Sequence, residues 1–138
     1  MHKDKLDRLL RVRTLQLGLA HAEEIRAQER FAGEASLKSR IRELAEGVAP
    51  SAAAAPGFSL MAAAHYRDRL QQSAEAAEGR LRAASQVVAR AAAATREAKR
   101  DQSAIEKLIA RSDAEAALKA IRALEAAPPT RKAARDPA

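Results

Sequence analysis

The sequence contains no cysteine and no tryptophan, and aromatic residues make up only 2% of its 138 residues. Without cysteine there is neither a disulfide framework nor thiolate chemistry. Alanine supplies much of the hydrophobic content of 47%. Because alanine buries little area, the composition argues against a compact core filled by large side chains.

Long apolar runs are also missing. The first residues, MHKDKLDRLLRVR, contain no apolar stretch of the kind found in secretory signals. Nowhere do about 20 apolar residues follow one another, which is the length that a membrane-spanning helix needs. The sequence therefore predicts a soluble, cytoplasmic protein without direct membrane insertion.

Proline and glycine are scarce and unevenly placed. The stretch GVAPSAAAAPGF, residues 47–58, holds two of the five glycines and two of the five prolines. The segments on either side are rich in alanine, arginine and glutamate, a composition typical of coiled coils and long helices. We therefore expect a loop that folds one long helix back on another.

The predicted organisation is all-α: a long antiparallel two-helix coiled-coil hairpin with a longer C-terminal arm. The first helix is expected at residues 1–46, the hairpin loop at 47–58, the second helix at 59–126 and a disordered tail at 127–138. Pairing centred near residue 52 or 53 would place residues 3–46 beside about 59–102. Residues 103–126 would then have no partner within the chain.

The second helix has the clearer apolar pattern. Small and apolar residues recur there at alternating spacings of three and four, which indicates a left-handed coiled coil. The predicted core positions are Ala63, Arg67, Leu70, Ala74, Ala77, Leu81, Ala84, Val88, Ala91, Thr95, Ala98, Gln102, Ile105 and Ile109.

Two places interrupt this regularity. In the first helix the large apolar residues drift out of one heptad, and Gly18 and Gly33 weaken the helix, so a skip or bend is expected there. The drifting residues are Leu15, Leu19, Ile25 and Phe31. In the second helix, Ser112 and Glu115 match a capping box, so either a kink at residues 111–113 or a continuous helix with a surface serine is possible.

The residue patterns of common catalytic and metal sites are missing. The sequence has no glycine-rich phosphate loop and no zinc-spaced set of cysteine and histidine. His21 and Glu24 share a helix face, but they offer two ligands where a metal site needs three or four. Two paired helices also provide no enclosed cleft. We therefore expect a non-enzymatic protein without a cofactor or metal.

The net charge of +7 permits an acidic partner. Basic and acidic residues are mixed along both predicted helices, which is typical of solvated helix faces. A basic hairpin that binds nucleic acid is one alternative, but it is disfavoured because clustered basic residues and stacking aromatics are both missing. A homodimeric coiled-coil scaffold is the other alternative.

Several stretches carry a resemblance to a known family. LDRLLRVRTLQLGLAHAEEIRAQ forms a basic amphipathic beginning at Leu6–Gln28, and HYRDRL places Tyr66 four residues before Leu70. The C-terminal segment is charged and contains three of the five prolines. Together with the unequal hairpin, these features resemble the FliJ family, a small coiled-coil component of the flagellar type III export apparatus. The resemblance covers most of the chain.

This resemblance implies a stalk or adaptor for flagellar protein export, peripheral at the inner face of the cell membrane. The free ends would enter a hexameric export ATPase, the hairpin end would face the export gate membrane protein, and export chaperones would be escorted. Candidate partner-binding residues lie near the N-terminus, at the start of the second helix and on its arm. They are Arg8, Arg11, Arg13, Tyr66, Leu70, Leu118, Ile121, Arg122 and Leu124.

Overall fold

The protein consists of two long helices in a computed structural model that describes residues 2–47 and 57–129. Helix α1 spans His2–Gly47 and helix α2 spans Gly57–Ala126. The described residues form no strand. The two helices pack against each other, so the predicted all-α hairpin with a longer C-terminal arm is confirmed.

The helix ends lie close to the predicted ones. α1 includes Gly47, and α2 begins at Gly57, two residues before its predicted start. At the other end of α2, the Ala127 N–H donates to the Ala123 carbonyl at 3.0 Å, and Pro128, which lacks an N–H, cannot extend the ladder. Residues 48–56 of the predicted loop and residues 130–138 of the predicted tail lie outside the described residues.

The chain divides into two compact units, and each contains a piece of both helices. The middle unit is Gln16–Lys99. The terminal unit combines Met1–Leu15 with Arg100–Ala138, of which the structure describes residues 2–15 and 100–129.

Burial along α2 follows the predicted heptad. Leu70, Ala77, Ala84 and Thr95 are buried, and the other core positions are half-buried, except that Arg67 is exposed. The buried stripe on α2 was therefore predictable from alternating spacings of three and four.

The predicted skip in α1 is wrong. A row of buried and half-buried positions on α1 runs from Leu6 to Ile41 in steps of three and four, with one step of seven from Ala27 to Glu34, although several of its members are charged. These positions are Leu6, Leu10, Arg13, Leu17, Ala20, Glu24, Ala27, Glu34, Lys38 and Ile41. The apolar residues that leave the heptad are solvent-exposed, with Leu15 and Leu19 each 69% exposed. Burial thus follows the heptad position rather than the size of the side chain.

Ion pairs define the register in the middle unit. Arg80 Nε lies 3.1 Å from Glu34 Oε2, and Lys38 Nζ lies 3.4 Å from Glu78 Oε1. From Glu34 to Lys38 the residue number rises on α1, while that of the paired residue falls from 80 to 78 on α2, so the helices are antiparallel. The midpoint of each pair is residue 57 or 58.

The terminal unit has the same register centre. Arg13 Nη1 lies 3.2 Å from Asp101 Oδ2, and Lys3 Nζ lies 3.7 Å from Asp113 Oδ1. The predicted centre near residue 52 or 53 is therefore wrong. The midpoint of the Pro/Gly stretch does not determine the pairing, because the register depends on which side chains pack between the helices. As a result, α2 is paired as far as Asp113.

The helix is not broken at residues 111–113, where a kink was considered. α2 is one uninterrupted helix from Gly57 to Ala126. Ser112 is half-buried and follows Ile105 and Ile109 with the spacing of the same heptad. The helix is therefore continuous, as the second alternative had it, but Ser112 lies at a half-buried core position rather than on the surface.

The densest packing lies in the middle unit. Ile41, Leu70 and Ala77 form a buried cluster, with Ala74 packed against it. Only two large side chains take part, so the helices are held together by a long series of small contacts rather than by one core. This packing holds the helices while leaving most of their outer faces in solvent.

Candidate partner-binding surface

The end of α2 in the terminal unit lies beyond its pairing with α1. Lys3, near the start of α1, lies opposite Asp113, and every residue from 114 to 126 is exposed. We refer to residues 114–126 as the overhang. Leu118, Ile121 and Leu124 are 49%, 52% and 76% exposed, so the overhang presents large apolar side chains to solvent.

These side chains point away from the face that packs on α1. The buried heptad of α2 would continue from Ser112 through residues 116 and 119. Leu118 and Ile121 each lie two residues further along, which is a rotation of about 200° around the helix. The apolar residues of the overhang therefore form a separate surface on the opposite side of α2.

Basic residues precede this apolar surface on the same side of the helix. Arg100, Lys107 and Arg111 are exposed. They precede Leu118 and Ile121 in a series of residues spaced by three, four or seven, so all of them lie on one side of the helix. We call this set the outer stripe. Its members are Arg100, Lys107, Arg111, Ala114, Leu118 and Ile121. The sequence reasoning missed the three basic members, although alternating spacings outside the buried heptad would have revealed them.

Two acidic residues near the outer stripe pair with α1, whereas Glu115, four residues after Arg111, is exposed beside the stripe. Asp101 pairs with Arg13 and Asp113 pairs with Lys3. Within the described residues, no ion pair involves a basic side chain of the outer stripe. Pairing with α1 thus neutralises two carboxylates, and the three basic residues of the stripe outnumber the one flanking carboxylate, Glu115.

The predicted arginines of α1 also lie in the terminal unit. Arg8 and Arg11 are exposed, whereas Arg13 is half-buried and holds Asp101. In this register Arg8 lies beside about residue 107, so Leu118 is roughly 16 Å further along α2. The structure does not bring these arginines to the apolar part of the overhang. Arg122, by contrast, is exposed on the overhang itself.

The two other predicted residues lie in the middle unit and differ from each other. Tyr66 is 46% exposed and available to a partner. Leu70 is 8% exposed and belongs to the buried cluster with Ile41. Leu70 therefore packs the hairpin, and a partner would not reach it without separating the helices.

The grooves of the middle unit are open and charged. The larger of two has a volume of about 560 Å³ and is lined mainly by Glu23, Arg26, Glu29 and Arg30. Among the described residues, no group of three acidic, histidine or cysteine side chains could hold a metal ion. Neither described helix has a segment long and apolar enough to cross a bilayer.

No protein-family model, curated protein or solved structure matches this chain. The likeness to the FliJ family therefore stays a resemblance of residue patterns. Any function must be argued from the surface just described.

Proposed function

We propose that this chain is a non-enzymatic stalk or adaptor of a flagellar type III protein export machine. The overhang would bind the hexameric export ATPase, and the opposite end would face the export gate. Escort of export chaperones is a further proposed role. The observation that carries the proposal is the overhang, where α2 continues without α1 and exposes large apolar side chains.

An exposed leucine or isoleucine contributes about 1.5–3 kcal/mol when it becomes fully buried. Leu118, Ile121 and Leu124 are already partly covered by their own helix, so each would contribute toward the lower end. Their sum still offsets part of the loss of freedom on association. A single helical arm is also narrow enough to enter a ring or groove, since an α-helix with side chains is about 10–12 Å across.

The proposed location is the cytoplasm at the inner face of the membrane. The described helices contain no candidate membrane span. Attachment through the export ATPase and the export gate protein would hold the chain there without insertion of its own helices.

The test is a truncation after Asp113. Because pairing with α1 extends to Asp113, the shortened protein should keep its helicity and melt within a few degrees of the full chain. Stimulation of the purified export ATPase should be lost. Thermal circular dichroism and ATPase rates are measured on the same preparations.

A second truncation, after Ala126, is the matched control. It removes only the tail and should stimulate the ATPase like the full chain. Full stimulation by the protein that ends at Asp113 would contradict the proposal. A collapse of its melting transition would instead make the overhang a structural segment.

The two alternatives from the sequence make different predictions for the full chain. A homodimeric scaffold would sediment as a dimer, and that dimer would dissociate when the overhang is removed. A nucleic-acid-binding hairpin would bind RNA or DNA with an affinity that falls steeply with salt. Either result, without ATPase stimulation, would replace the export proposal.

A further inference from the structure

We infer that the outer stripe is a docking surface for an acidic amphipathic helix of a partner protein. This inference rests on the proposed function for the identity of the partner, but the surface and its chemistry are argued from the residues alone. The two can therefore fail separately.

The spacing of the outer stripe indicates a helix as the ligand. From Arg100 to Ile121 its members lie in one row with alternating steps of three and four, passing through the exposed Ala104. Such a row is the seam that a second helix packs against in a left-handed coiled coil. Because this row lies on the opposite side of α2 from α1, a partner helix could bind without opening the hairpin.

The charge of the stripe indicates an acidic ligand. Arg100, Lys107 and Arg111 precede the apolar members, and the nearby Asp101 and Asp113 are taken by Arg13 and Lys3. A partner helix with carboxylates opposite the three basic residues and apolar residues opposite Leu118 and Ile121 would complement the whole row. Complementary potentials also exclude partners of the wrong sign.

The same charges disfavour two other occupants. A second copy would bring its own three basic residues, and only Glu125 at the far end of the row and Glu115 on its flank would balance them. An anionic membrane would have to accept Glu125 beside the apolar residues, at the depth where acidic groups are unfavourable. The row is basic at its start and acidic at Glu125, and this charge difference along the row would set the direction of a bound helix.

The test uses two synthetic helical peptides with the same leucine and isoleucine stripe. One carries glutamate at the flanking positions and the other carries lysine. Fluorescence anisotropy measures the binding of each peptide to the full chain. The acidic peptide should bind and the basic peptide should not. Adding Leu118→Asp and Ile121→Asp should abolish binding of the acidic peptide.

Charge reversal tests the electrostatic part. The triple variant Arg100→Glu, Lys107→Glu and Arg111→Glu should bind the acidic peptide at least about tenfold more weakly, as expected for the loss of three exposed ion pairs. It should also gain affinity for the basic peptide. The matched control reverses Arg82, Arg90 and Arg96, which are exposed on α2 in the middle unit or at its end. That control should leave both affinities unchanged.

Circular dichroism confirms that each variant is helical before binding is compared. Equal binding of the two peptides, or of neither, would overturn the inference. So would tighter binding to phosphatidylglycerol vesicles than to the acidic peptide, or a dimer in sedimentation that the Asp substitutions dissociate. If the full chain binds the acidic peptide but does not stimulate the export ATPase, the proposed function fails and the docking surface stands.

Discussion

The middle unit and the terminal unit use the same two helices in different ways. In the middle unit, α2 is covered by α1 along the buried heptad, where Ala77 is 0% exposed and Ala84 is 5% exposed. In the terminal unit, α2 continues beyond its pairing with α1, and the leucine and isoleucine side chains of the overhang are exposed to solvent. The contrast teaches that the pairing face of α2 relies largely on small side chains, while the large apolar side chains at its unpaired end face solvent.

This distribution is the reverse of that in a globular domain, where large apolar residues gather inside. The buried Thr95 shows that the pairing face also accepts a polar residue. Its hydroxyl donates to the Ala91 carbonyl at 3.1 Å, so a polar group fits in the seam without an unsatisfied hydrogen bond. The strength of the hairpin therefore comes from length and close approach rather than from large side chains.

Replacing a leucine of α2 by alanine should change the free energy of unfolding much more in the middle unit than in the terminal unit. Leu70→Ala removes a buried side chain from the cluster with Ile41, and we expect a loss of about 2–3 kcal/mol in the free energy of unfolding. Leu118→Ala removes a half-exposed side chain that touches no other helix, and we expect a change within about 0.5 kcal/mol. Urea unfolding followed by circular dichroism measures both.

If Leu118→Ala destabilised the hairpin as much as Leu70→Ala, the overhang would be folded against the rest of the terminal unit. That result would remove the exposed surface on which the proposed function depends. The double variant should show additive effects, because the two residues share no neighbour.

Replacing helix glycines by alanine should raise the free energy of unfolding, by less than Leu70→Ala lowers it. Gly33 and Gly79 lie inside helices of the middle unit, and apart from the adjacent residues and the backbone of its own helix, a Cβ at either position would meet no atom within 4 Å. Alanine at each position should therefore raise the free energy of unfolding by up to about 1 kcal/mol. Ala93→Gly, at an exposed position of the same unit, is the control and should lower it by a similar amount.

Thermal melts of the single variants measure this prediction. If Gly79→Ala lowered the melting temperature, the open space around the glycine in the structure would be contradicted. The residue would then be required for a close approach to another group.

Removing an ion pair should have the smallest effect. For Glu34 and Arg80 in the middle unit, a double-mutant cycle with glutamine replacements should give a coupling of about 0.2–1 kcal/mol, because both side chains are partly exposed. The coupling should vanish in about 1 M salt. A control cycle with Glu29 in place of Glu34 should give no coupling. A larger coupling in that control would mean that the register is different.

Much of the fold was predictable because helix-forming composition and heptad spacing are local properties. The buried positions of α2 could be predicted from the sequence because small and apolar residues recur there at spacings of three and four. α1 was harder, since Arg13, Glu24 and Lys38 occupy core positions while Leu15 and Leu19 lie outside. A reading based on hydrophobicity places the large residues inside, whereas the alkyl parts of charged side chains can cover a seam equally well.

The register could not be predicted, because it depends on which pairs of side chains meet across the helices. The centre of the pairing lies about five residues later in the sequence than predicted. Because of this displacement, the unpaired arm of α2 begins after Asp113 rather than after residue 102. The apolar residues of the overhang were predicted as candidate partner-binding residues. The basic part of the outer stripe was missed because mixed charges along a sequence conceal their separation around a helix.

The alanine-rich seam also has a thermodynamic consequence. Unfolding exposes less apolar area per residue when alanine fills six of the fourteen core positions of α2, and the heat capacity change of unfolding scales with that area. A small heat capacity change flattens the dependence of stability on temperature. The hairpin should therefore have a low, broad stability curve, so that its two helices stay paired with nearly constant strength across a wide range of temperatures.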